Sequence, residues 1–283
     1  MRLPLTVGID GSDSSLQAVD WAVDEASRRG LPLRLVHASL WERYEGGRPS
    51  FGADRPTEEV MVQHIVASSA ERARLRNPEV PVAGDVLPDD AVSALLQAGH
   101  EACALVTGAR GRGEIAGMLL GSVSLAVAAR ATCPVIVVRG PERNRQGSFG
   151  RVVVGIGEPA GAGDAVRFAV RAAEVRGCAL EAVRAWRVPA HDRLAPRAHE
   201  EQASADLTEA LRDVIREHPA VQVHRRPVEG PAHRVLLEAS ATADLVVVGV
   251  PGRHGHFGLQ LGRVAHVLLH HAACPVAVVP QRA

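Results

Sequence analysis

The segment Thr132-Cys133-Pro134-Val135-Ile136-Val137-Val138 returns 141 residues later as Ala273-Cys274-Pro275-Val276-Ala277-Val278-Val279, so any fold of this chain must accommodate one unit twice. Gly108, Gly111 and Gly121 recur at the same spacing as Gly249, Gly252 and Gly262. Near the start of each copy, Val7-Gly8-Ile9 matches Val154-Gly155-Ile156 at an offset of 147. The offset falls from 147 to 141, so the second copy is shorter by 6 residues, a loss expected after the second strand, around Glu45 to Pro56. A chain of 283 residues is long enough for two domains, each with its own core.

Within each copy, short β-branched runs alternate with longer amphipathic stretches, the pattern of a parallel sheet with crossover helices. Strands are expected near Leu5 to Ile9, Leu33 to Ala38, Val82 to Val86, Ala104 to Gly108 and Val135 to Val138. Helices are expected over Ser14 to Arg29, Thr57 to Arg76, Asp90 to Gly99 and from Gly121-Ser122 through Arg130. The fold class is therefore α/β, with two tandem doubly wound domains. Each is a five-stranded parallel sheet of order 3-2-1-4-5, flanked by helices. Domain 1 spans 1–140, a linker 141–150 and domain 2 151–283; Arg139 to Gly150 is rich in Pro, Arg, Asn, Gln and Gly.

Composition narrows the partners. Lys+Arg and Asp+Glu both total 32 and aromatics are 3%, which argues against a nucleic-acid partner. No apolar run approaches the ~20 residues of a membrane span and no signal-peptide core follows Met1, so a cytoplasmic protein without a membrane partner is expected. The chain contains no lysine, which rules out a P-loop and Schiff-base chemistry. Cys103, Cys133, Cys178 and Cys274 lie in apolar runs without C-x-x-C spacing and read as reduced core residues.

In a sheet of this order the strand order reverses once, opening a ligand crevice at the carboxyl ends of the first and fourth strands. Asp10 and Gly108 should meet there. Gly108 and Gly111 suit a turn that a phosphate approaches closely, and Gly121-Ser122-Val123-Ser124 opens a helix whose first amides are unpaired and electropositive. Arg110 and Arg112 supply charge beside it, and Asp10 either accepts from a ribose hydroxyl or base amine or caps the following helix.

These residues resemble the universal stress protein family over essentially the whole chain, as a tandem pair of domains. The family pattern G-x2-G-x9-G-[ST] is met by Gly108, Gly111, Gly121 and Ser122. Val7-Gly8-Ile9-Asp10-Gly11-Ser12, Leu35-Val36-His37-Ala38 and Cys133-Pro134-Val135 agree with it. The resemblance implies ATP, with AMP or ADP as alternatives and Mg²⁺ as a companion to the phosphates. It implies that positions matching Asp10, Ala38, Thr107 and Gly108 meet the nucleoside, and those matching Gly111, Gly121, Ser122, Val123 and Ser124 the phosphates. It also implies pairing through the fifth strands, here between the two domains of one chain, leaving association into a homodimer open.

The second copy departs from the pattern. Gly157 stands where Asp10 stands, and Arg263 replaces Ser122, so that Arg263 either fills the phosphate space or recruits a smaller anion. Val154-Gly155-Ile156-Gly157 with Gly161 and Gly163 has the wrong spacing for a dinucleotide fingerprint. His254, His256, His266, His270 and His271 read as surface histidines rather than a metal site, and no catalytic residue or metal ligand is assigned. The expectation is a nucleotide-dependent stress-response regulator with one site per chain, in domain 1. A slow ATPase or phosphotransfer enzyme and a ligand-free interaction scaffold are the alternatives.

Overall fold

The computed structural model of the protein describes residues 2–40, 56–111, 120–188, 196–250 and 261–281. The chain divides into two compact units, Met1–Val138 and Arg139–Ala283. The first contains β1 (Leu5–Gly8), α1 (Asp13–Arg29), β2 (Leu33–Ala38), α2 (Pro56–Arg76), β3 (Val82–Leu87), α3 (Ala91–Gly99), β4 (Ala104–Gly108), α4 (Ser122–Arg130) and β5 (Val135–Val138). Its strands are all parallel, in the order β3-β2-β1-β4-β5. β4 and β5 are buried along their entire length, as apolar strands covered by helices on both faces must be.

Local signals place the helices. Ser12 caps α1 by accepting the Ser15 N–H, and Gly30 ends it in the left-handed region at φ 59°, its N–H bonding to Ala26 O and Ser27 O. Between the caps, Ala18, Val19, Ala22, Val23 and Ala26 form a fully buried stripe, as a helix with one face on the core requires. Asp90 caps α3 through the N–H groups of Val92 and Ser93. Both helices thus begin one residue past an acceptor side chain, as capping chemistry requires.

The second unit repeats this arrangement. It contains α5 (Glu142–Arg145), β6 (Arg151–Gly155), α6 (Gly163–Arg176), β7 (Ala179–Trp186), α7 (Pro196–Glu217), β8 (Val223–Glu229), α8 (Ala232–Ser240), β9 (Leu245–Val250), α9 (Arg263–His271) and β10 (Val276–Pro280). The order β8-β7-β6-β9-β10 again follows 3-2-1-4-5. Leu33 pairs with Val82 and Leu180 with Val223. The offset between copies therefore drops from 147 (Leu33 to Leu180) to 141 (Val82 to Val223) between the second and third strands. The expected loop around Glu45 to Pro56 falls within that interval and lies outside the described residues except for Pro56.

The segment Arg139–Gly150, read as linker from its composition, is bound to the second unit by side chains that its polarity disguised. Arg139 donates from Nε to Ala272 O and from Nη2 to His270 O, both at 2.7 Å, and from Nη1 to Leu269 O, so one guanidinium satisfies the end of α9. Asn144, fully buried, donates to Ala243 O at 2.9 Å and to Ser240 O and Ala241 O at 3.3 Å. Asp244 accepts the N–H groups of Phe149 and Arg151, each at 2.9 Å. The cysteines are free, and Cys133 and Cys274 are buried as expected, but Cys103 and Cys178 are only half-buried. Burial pushes the Cys133 thiol up to about 11 and raises that of Cys274 further.

Replacing Asn144 by Ala strands carbonyls at the end of α8 and is expected to destabilise the second unit by about 1–3 kcal/mol, read from the denaturation midpoint. Thr6, on β1, has a buried hydroxyl without a hydrogen-bond partner, and the corresponding residue of the second unit is Val153. Thr6→Val should therefore raise the stability of the first unit by about 1 kcal/mol, with no change in its strand pairing.

Candidate functional site

At the carboxyl ends of β1, β2 and β4 the first unit holds a cavity of about 420 Å³, within the ~300–1,000 Å³ range of small-molecule sites. It lies where the strand order reverses. Every residue that the resemblance singled out lines it: Asp10, Ala38, Thr107, Gly108, Gly111, Gly121, Ser122, Val123 and Ser124. Residues that the sequence reading did not assign to the site complete the wall, namely Gly8, Ile9, Ser15, Val36, Ala91 and Leu95. Leu95 belongs to the buried stripe of α3, and Val36 sits two residues before Ala38 on the same face of β2, which periodicity alone could have indicated.

Each glycine has a different reason to be there. A Cβ at Gly108 would lie 2.5 Å from Ser14 O and Ser14 Oγ, so β4 ends in direct contact with the first turn of α1. A Cβ at Gly111 would lie 2.8 Å from Asp10 Oδ2, which fixes the turn after β4 against the carboxylate. A Cβ at Gly121 would meet nothing nearer than 3.6 Å, so packing does not demand a glycine there. Gly121 donates its N–H to Ala109 O at 2.7 Å and caps α4 without any side-chain hydrogen bond. The first-turn amides of α4 thus face the cavity without a capping side chain, at the positive end of the helix.

The polar side chains are more committed than the sequence indicated. Asp10 Oδ1 accepts from the Ser12 N–H at 2.9 Å and the Ser12 hydroxyl at 2.6 Å, while Ser12 Oγ accepts the Ser15 N–H at 3.2 Å. Asp10 therefore does not cap α1 itself; it orients the serine that does. Ser124 donates its hydroxyl to Gly108 O at 2.7 Å, tying α4 to the end of β4 and leaving its backbone rather than its side chain as the group turned to an anion. Ser14 Oγ accepts the Arg110 N–H at 3.1 Å, and Arg110 lines the cavity; Arg112 lies outside the described residues. His37 Nδ1 is 2.8 Å from Ile9 O, so Nδ1 carries the proton and the strand end beside Asp10 is pinned.

The corresponding place in the second unit keeps the packing and changes the chemistry. A Cβ at Gly155 would meet Leu236, as one at Gly8 would meet Leu95. With Gly157 for Asp10 and Pro159 for Ser12, the cap is lost, and a 3-10 turn, Pro159–Gly161, precedes α6. Arg184 stands in the register of His37 and donates to Ile156 O and Gly157 O while pairing with Asp206 at 2.9 Å. Gly249 has Gln281 against it, a Cβ there lying 2.5 Å from Gln281 Nε2. Ala265 replaces Ser124, and Arg263 opens α9. Gly252, His254 and His256 lie outside the described residues. The rings of His266 and His270 stack with centroids 4.5 Å apart, and burial first, then the charges of His266, His271 and Arg139, lowers the His270 pKa. Among the described residues, no group of three or more His, Cys, Asp or Glu is placed to hold a metal ion, and no helix is long and apolar enough to cross a membrane.

The sequence profile of the Universal stress protein family matches residues 1–139 and again 148–280. A universal stress protein of Mycobacterium tuberculosis is 32% identical over 286 residues, covering 98% of this chain and 97% of its own. A second from the same organism is 33% identical over 306 residues, covering 99% and 96%. Among solved structures, a universal stress protein from Archaeoglobus fulgidus superposes with a TM-score of 0.73 at 17% identity, covering 99% of both chains, a likeness of fold.

The glycine geometry separates packing from ligand demands. Gly108→Ala, which forces a Cβ onto backbone, is expected to destabilise the first unit by about 1–3 kcal/mol. Gly121→Ala, at φ −73° and ψ 147° with open space around it, should cost less than about 1 kcal/mol. Denaturation of the two variants checks the ordering, and equal losses would contradict it.

Proposed function

The chain belongs to the universal stress protein family, and from that premise we propose that its first unit binds one ATP per chain and acts as a nucleotide-dependent stress-response regulator. The observation that carries this reading is the uncapped start of α4, with Gly121 open beside it, facing a cavity that Asp10 and Thr107 also line. The amides of Ser122, Val123 and Ser124 would hold phosphate oxygens, and the Arg110 guanidinium would add charge. Asp10 would take the ribose or base, with Ala38 and Thr107 alongside. ADP or AMP would use the same nucleoside contacts with fewer phosphate contacts. Mg²⁺ would enter with the phosphates.

In this reading ATP is held rather than consumed. A ligand that binds the folded state adds stability of RT ln(1 + [L]/Kd), and a ligand that prefers one conformation shifts the population toward it. That is the form of regulation that a site made of amides, hydroxyls and a turn-bound carboxylate supports. The second unit, with Gly157 and Arg263 in the two deciding positions, would not take ATP.

Titration calorimetry with ATP is expected to give one site per chain, and Ser122→Arg, which copies the second unit, to abolish it. Two equivalent sites, or unchanged affinity in Ser122→Arg, would overturn the assignment. Steady release of ADP from protein mixed with ATP would favour the slow enzyme instead.

A further inference from the structure

Thr6 on β1 and Thr107 on β4 each carry a buried hydroxyl that makes no hydrogen bond. Of the two, Thr107 lines the cavity of the first unit. It is 4% exposed, and the fold does not need its oxygen, because 141 residues on Val248 fills the same place on β9 at the same 4% exposure. A buried hydroxyl without a partner lowers stability, and a valine of nearly the same shape avoids that loss. The first unit nevertheless keeps the hydroxyl, in the wall of its cavity.

Strand alternation puts Thr107 on the same face of the sheet as Leu105, whose side chain a Cβ at Gly99 of α3 would meet at 2.9 Å. On that face Ala91 and Leu95 of α3, with Val36 of β2, give the cavity an aliphatic wall. On the other side, the Ser124 hydroxyl ties the first turn of α4 to Gly108 O, one residue beyond Thr107. Thr107 thus lies between a wall that suits the faces of a base and amides that suit phosphate oxygens. What a nucleotide carries between its base and its phosphates is a ribose, whose hydroxyls donate and accept as threonine does. Because Thr107 Oγ1 holds no partner, turning χ1 to exchange the hydroxyl with the methyl group breaks no hydrogen bond.

We propose that Thr107 is a specificity residue whose side-chain hydroxyl bonds a ribose hydroxyl, so that the site takes ribonucleotides in preference to their deoxy counterparts. The inference rests on nucleotide binding in the first unit and adds the group that reads the sugar. Asp10 Oδ1 already serves the N–H and hydroxyl of Ser12, whereas Thr107 has no internal bond to give up. A ligand that lacks the matching hydroxyl leaves that of Thr107 buried and unpaired, and sites built to hydrogen-bond a hydroxyl discriminate in this way.

The test titrates ATP, 2′-deoxy-ATP and 3′-deoxy-ATP into the full-length chain, unaltered and as Thr107→Val and Thr107→Ser. In the unaltered protein at least one deoxynucleotide is expected to bind about fivefold more weakly than ATP, the effect of one lost hydrogen bond. Thr107→Val should weaken ATP by a similar factor and no longer distinguish the three nucleotides. Thr107→Ser, which keeps the hydroxyl, should retain the distinction. Thr107→Val should melt no lower than the parent, since Val248 holds the matching place in the second unit, and this separates a lost ligand contact from a lost fold. ATP affinity indifferent to Thr107→Val would overturn the inference and leave nucleotide binding standing. A loss in Thr107→Val that is equal for all three nucleotides would put the hydroxyl on the base or phosphates and overturn it as well. Failure of ATP to bind the unaltered protein would overturn it together with the reading on which it rests.

Discussion

The contact between the end of β4 and the first turn of α1 governs the architecture of the first unit. Gly108 can sit against Ser14 only because it has no Cβ, and that approach draws the turn after β4 over the end of β1. Ser14 then accepts from Arg110, Gly111 meets Asp10, Gly121 returns to Ala109, and Ser124 closes the circuit on Gly108 O. One steric allowance therefore positions three strand ends and two helix starts around a single cavity. Burial of β4 and β5 makes the allowance affordable by locking the strands at their apolar centre.

The fold was legible because it rests on patterns that the sequence carries locally: apolar runs of strand length, helical stripes and end signals. α1 illustrates this: its apolar stripe was legible, whereas the cap fell to Ser12 rather than to Asp10. The gathering of the candidate site's residues was legible for a different reason, since topology alone brings the ends of β1 and β4 together. What stayed hidden were choices between partners far apart in sequence. Asp10 and Ser12 share a turn, and Ser124 spends its hydroxyl on a carbonyl, yet neither fact follows from spacing. The bonds of Arg139 and Asn144 were hidden too, since polar composition does not show which helix ends a side chain satisfies.

The duplication works as an internal control on which interactions the fold requires. Packing is retained: Gly8 against Leu95 is repeated by Gly155 against Leu236, and left-handed Gly30 by Gly177. Charge is not. Arg34 on β2 pairs with Asp85 and Glu101, whereas the same register in the second unit holds Glu181, paired with Arg151 and Arg226. The sign is inverted and the strands pair identically, so the strand register does not depend on the sign of the charge at this position.

This division explains why the two crevices could diverge without loss of fold. Asp10, Ser12 and Ser15 form one hydrogen-bonded unit, so exchanging the carboxylate alone would leave the start of α1 without its organiser. In the second unit the whole unit is exchanged. Gly157 and Pro159 stand in place of Asp10 and Ser12, a 3-10 turn replaces the first helical turn, and Gln281 reaches over Gly249 to accept the Asp164 N–H at 3.2 Å. Gln281 takes the position against the β9 glycine that Ser14 occupies against Gly108. Arg263 stands at a helix start where the first unit has Ser122, exposed and apart from the buried face of α9, which Ala265, Leu268 and Leu269 form.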